Sequence, residues 1–197
     1  MTDPFERREH SLENQFFYKA DQELLEKIRQ KEREKAGRET LARVTGIRNA
    51  EVIEELLQSG IRAESLIALS VVPLVFLAWA DRVVSVEERE AILEAAVAHG
   101  MEADSASHQL LSQWLERQPK DSLLEAWRHY IHELPGYLER EEFENLRYDI
   151  LERARTVMAA SGGILRVESV SEAQNRMLAH IESAFVHSAS EFEESSD

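Results

Sequence analysis

A chain of 197 residues with no cysteine and a formal net charge of −15 can bury about 70% of its unfolded surface without disulfides. Lacking cysteine, it has no thiolate metal site, thiol nucleophile or disulfide switch, and it suits a reducing, cytoplasmic compartment. Residues 61–197 hold 12 Lys+Arg against 25 Asp+Glu, a balance that repels phosphate backbones and anionic lipid and favours cations or basic protein faces.

In chain order the pattern is helical throughout, with seven glycines and four prolines falling mostly between segments of helical period. The start MTDPFERREH has no basic region followed by an apolar run, so no secretory signal is expected. Asp3, Pro4 and Glu6 make a helix start. Phe5, Leu12, Phe16, Phe17, Leu24 and Ile28 then share one face of a helix that Gly37 is expected to stop. Beyond Ile28 the run RQKEREKAGR is charged all round. A short helix from Glu39 to Val44 and another from the Asn49 cap to Gly60 complete an N-terminal helical arm, residues 1–60.

The character changes at Ile61, where a domain boundary is expected. The fifteen nearly uncharged residues from Leu66 to Ala80 contain Pro73 and are fewer than a membrane span needs, so a buried core helix from about Ala63 to Ala80, bent at the proline, is expected. Phe76, Leu77, Trp79 and Ile92 are the expected core residues. Ser85 and Glu88 form a capping box for the next helix, which ends near His99 and Gly100. Further helices are expected from Asp104 or Ser105 to Arg117, from Asp121 or Ser122 to before Pro135, and from Tyr137 to Ala160. Gly162 and Gly163 interrupt the chain, Ser169 with Glu172 makes a second capping box, and a last helix runs through Phe185. Residues 188–197 are a solvated acidic tail with nothing to bury.

Two clusters carry candidate chemistry. Asp81, Ser85, Glu87 and Glu88 offer hard oxygen ligands within one short turn, a pattern that suits Ca²⁺ or Mg²⁺, while capping alone also accounts for Ser85 and Glu88. Glu125, His129, His132 and Glu133 lie on adjoining positions of one helix and would be the residues of an enzyme or transition-metal reading, yet further ligands are not identifiable in other segments. No phosphate-binding glycine loop, nucleophile elbow or HExxH motif occurs, so catalysis is not expected. The mixed charges of residues 26–38 do not favour nucleic acid.

The segment FLAWADRVVSVEEREAILEAAVAHGM resembles the first signature of TerB-like tellurite-resistance domains, and MAASGGILRVESVSEAQNRMLAHIESAF resembles the second. The likeness covers residues 61–187 and implies a helical bundle with pseudo-twofold halves, a stress-associated role, and metal-cation binding at Asp81 with Glu87 or Glu88. Arg82 stands where the family has glycine, and Ser161 where an acidic residue would complete the cluster. Residues 3–60 resemble, more faintly, the N-terminus of zeta-type inhibitor proteins of bacterial ATP synthases, which implies a helix inserted into a partner. The combined expectation is an all-α, cytoplasmic, non-enzymatic binding or scaffolding protein with a TerB-like bundle and a helical arm, and with no membrane span or nucleic-acid ligand. Its arm would bind another protein through Phe5, Leu12, Phe16, Phe17, Leu24 and Ile28, and it would take Ca²⁺ or Mg²⁺ at most; a homo-oligomer is compatible. The alternative expectation is an inhibitor of a partner such as an ATPase.

Overall fold

The computed structural model describes residues 26–161 and 171–189, and no strand occurs among them. The protein is all-α. Helix α1 runs through residues 26–45, followed by α2 (Ala50–Gln58), a 3-10 stretch (Ala63–Val71), α3 (Val72–Ala78), a 3-10 turn (Trp79–Asp81), α4 (Val86–Ala98), α5 (Ala106–Glu116), α6 (Asp121–Glu133), a 3-10 turn (Leu134–Gly136), α7 (Arg140–Ser161) and α8 (Glu172–Ala189).

The chain divides into two compact units, Met1–Thr40 and Leu41–Asp197. The division lies twenty residues before the one expected at Ile61, because Leu41, Ile47, Val52, Ile53 and Leu56 are buried in the core of the second unit. Nor does Gly37 stop α1. It lacks a positive φ and is carried through, at the helix-interior penalty of about 1 kcal/mol. The stop comes at Gly46, with φ +76° and a Cβ position already 3.5 Å from the Tyr137 ring. Phe5, Leu12, Phe16, Phe17 and Leu24 lie outside the described residues; Ile28, at 44% exposure, is not held in a core.

The apolar segment expected as one bent helix is divided more sharply. Pro73 sits in the first turn of α3, where its missing N–H costs nothing, and the chain before it winds as a 3-10 helix. Ala63–Asp81 meets the length and hydropathy requirement for a membrane span, and every residue from Val71 to Ala78 is buried within the helical body. Helices α4, α6, α7 and α8 all pack around α3. Of the expected core residues, Phe76, Leu77 and Ile92 are buried. Trp79 is half-buried, its indole Nε1 donating to the Trp114 carbonyl at 2.8 Å.

An aromatic trio joins the last three long helices. Phe185 of α8 meets Trp127 of α6 edge-on at 5.8 Å between ring centres, and Phe143 of α7 at 5.7 Å. All three side chains are fully buried.

Candidate functional site

The turn from Asp81 to Glu88 is built by local rules. Arg82 closes the 3-10 turn by donating its N–H to the Trp79 carbonyl at 2.8 Å, and its own backbone is left-handed, at φ 72°. Asp81 Oδ1 accepts from the Val83 N–H at 3.2 Å, and its side chain is exposed. Ser85 caps α4: its Oγ accepts from the Glu88 N–H at 3.1 Å, while Glu88 Oε2 accepts from both the Ser85 N–H and the Ser85 hydroxyl at 2.9 Å.

What the sequence pattern does not show is where the other carboxylate oxygen goes. Glu88 is 1% exposed, and its Oε1 accepts from Gln174 Nε2, 86 residues along the chain, at 2.9 Å. Gln174, the third residue of α8, itself closes a capping box. Ser171 Oγ accepts from the Gln174 N–H at 3.1 Å, and Gln174 Oε1 accepts from the Ser171 N–H at 3.3 Å. The starts of α4 and α8 are therefore tied together by their caps. The second box is Ser171 with Gln174, in place of the expected Ser169 with Glu172, since α8 begins at Glu172. Two Ser-x-x-Glu/Gln registers overlap in this sequence. The one used buries its closing residue, Gln174, against Glu88, at 2% exposure, whereas Glu172 is exposed.

The pairing also explains why one box carries an acid and the other an amide. Glu88 needs a donor opposite Oε1, and Gln174 supplies it while its own oxygen stays on the Ser171 backbone. A second carboxylate at 174 would set two acids face to face away from water, an arrangement that low dielectric penalises heavily.

Asp81, Glu87 and Glu88 do not gather. Glu88 turns inward to the caps, Asp81 turns to its own loop, and Glu87 is exposed on α4. Among the described residues no three His, Asp or Glu side chains converge so as to hold a metal ion. The α6 cluster is likewise divided among neighbours. His129 Nδ1 meets Glu55 Oε2 at 2.6 Å, Glu133 Oε1 accepts from Asn49 Nδ2 at 2.7 Å, and Glu125 pairs with Arg128 at 3.1 Å. The first two contacts, with the Arg48 N–H donating to the Tyr137 hydroxyl at 3.0 Å, fasten α2 and its leading turn to α6 and the segment after it.

Sequence reasoning missed Ser171 and Gln174. The signal was present in the Ser-x-x-Gln spacing, but only the fold shows that the two boxes meet. Compared with known proteins, the chain matches no protein-family model, no curated protein and no solved structure.

Arg82 offers a direct test of the turn. A left-handed backbone costs an L-residue about 1–2 kcal/mol, part of which glycine gives back as chain entropy. Arg82→Gly is expected to raise stability by about 0.5–1 kcal/mol in a denaturant titration. A decrease would mean that the arginine side chain itself holds the turn.

Proposed function

We propose that the chain is a non-catalytic binding or scaffolding protein with a TerB-like body and an N-terminal arm that engages another protein. Two features support the reading of the body. Arg82 takes the left-handed conformation that a glycine at the corresponding family position would favour, and two capped helices, α4 and α8, meet through matching boxes, as two-half organisation implies. The cation expected at the acidic turn is not part of this reading, because Glu88 is used by the caps of α4 and α8.

The observation that carries the binding role is the state of α1. From Glu26 to Ala36 every residue is exposed. A helix without a buried face draws no stability from packing, and its side-chain pairs contribute only about 0.2–0.5 kcal/mol each. The Lys35–Glu39 contact, at 3.8 Å and largely exposed, is of this kind. Such a segment is suited to presenting surface, and the apolar stripe through Phe16 and Phe17 would supply the anchor.

Full-length protein and its Phe16→Asp, Phe17→Asp variant, each immobilised and exposed to cell extract, provide the test. The expected result is a partner retained by the wild type and lost by the variant, with melting temperatures within about 2 °C, since one kcal/mol shifts a protein of this size by about 2–4 °C. A variant that melts many degrees lower while losing no partner would make the stripe part of the protein's own core and remove this reading.

A further inference from the structure

We propose that the solvent face of α4 is a docking surface for a basic helix, and that its occupant is α1 of a second copy of this chain. The proposal rests on the binding reading above and names the partner of the polar face of α1. It does not depend on the aromatic stripe.

Helix α4 buries Glu88, Ile92 and Ala96. At 3.6 residues per turn the opposite face carries Val86, Glu87, Glu90, Glu94 and Val97. All five are exposed, Val86 at 66% and Val97 at 52%. No ion pair or hydrogen bond is made by the side chain of Glu87, Glu90 or Glu94 among the described residues, whereas Arg89, on the flank, pairs with Glu116 at 3.2 Å. Three like charges in two turns repel one another. Glu94 has no basic residue in the last turn of α4 to offset it. A cationic partner would relieve that repulsion and cover the valines.

Helix α1 has the complementary pattern. Lys27, Lys31 and Lys35 recur every four residues, about 6 Å apart along the axis, with Ile28 beside them, and all four are exposed. Lys27 and Lys31 have no ion-pair partner among the described residues. The glutamates of α4 recur at steps of three and four, so the two rows keep register over two turns, and Ile28 gives the valines an apolar counterpart. Nucleic acid would meet the same lysines, but it would also meet the acidic body that follows them, with its 25 Asp+Glu against 12 Lys+Arg over residues 61–197. A second copy is opposed by the same net charge, but it offers the lysines carboxylates in register and Ile28 a pair of valines, which a phosphate backbone does not. In a closed pair each copy gives α1 and receives on α4, a self-complementary arrangement.

Sedimentation equilibrium of the full-length protein at 50 and 500 mM salt tests the proposal. The expected result is a dimer at low salt whose dissociation constant rises at least tenfold at high salt, as screened ion pairs require. Glu90→Lys with Glu94→Lys, and separately Lys31→Glu with Lys35→Glu, should each give a monomer. An equimolar mixture of the two variants should associate again, because both contacts become complementary in the heterodimer. That rescue also shows that each variant is folded. A wild type that stays monomeric at 50 mM salt overturns the proposal, as does a dimer indifferent to both charge reversals. Should the wild type stay monomeric while a fluorescent 20-mer duplex binds it and fails to bind the Lys31→Glu, Lys35→Glu variant, the basic face belongs to nucleic acid and the proposal is again overturned.

Discussion

Phe185→Ala is expected to destabilise the protein by about 3–5 kcal/mol, the range for deleting a fully buried phenyl ring. The loss should fall at the high end. Phe185 touches Trp127 and Phe143 at once, so one truncation removes two ring contacts and opens a cavity shared by α6, α7 and α8. Against a total stability of about 5–15 kcal/mol, this is a large fraction. In a thermal melt it corresponds to a fall of about 6–20 °C. A fall under about 3 °C would mean that α8 does not close the core as described.

The second large effect is expected at Glu88. Replacing it with alanine removes the reciprocal half of the α4 cap, worth about 1 kcal/mol, and takes from Gln174 Nε2 its 2.9 Å acceptor. A hydrogen bond to a charged group contributes about 1.5–3 kcal/mol. The sum is about 2.5–4 kcal/mol, large for a surface-type residue in a helix's first turn. Glu88→Gln should recover only part of it. An amide at this position keeps one acceptor oxygen but must point its NH₂ group either at Gln174 Nε2 or at the Ser85 donors. Gln174→Glu should be at least as costly as Glu88→Ala, since it brings two acids together in a buried site. If Glu88→Ala melted like the wild type, the contact between the two caps would be incidental.

The helical class and several of the caps could be read from the sequence because they are local. Asn49, Ser85 and Ser105 each cap the helix that the spacing predicts, and the core places of Phe76, Leu77 and Ile92 follow from one apolar run and one helical period. The errors arose where distant packing decides between local options. Gly37 carries a strong stop signal, yet α1 continues through it, and the next turn anchors the second unit at Leu41. Ser169 and Ser171 offer equivalent caps on paper; the fold selects Ser171 because Gln174 meets Glu88. Asp81, Glu87 and Glu88 look like one cluster in sequence, but at a helix start residues 87 and 88 are about 100° apart around the axis, and here one faces solvent and the other the core. The histidines of α6 were legible as a helical face, and their neighbours on α2 were not.

A double-mutant cycle between positions 88 and 174 tests most directly the claim that the starts of α4 and α8 are joined through their caps. Urea unfolding of Glu88→Ala, Gln174→Ala, the double variant and the wild type gives the coupling free energy. A coupling of about 1 kcal/mol or more is expected, within the range for residues in one hydrogen-bond network. The double variant should be less destabilised than the two single effects added together. Additivity to within about 0.3 kcal/mol, the behaviour of independent sites, would contradict that coupling.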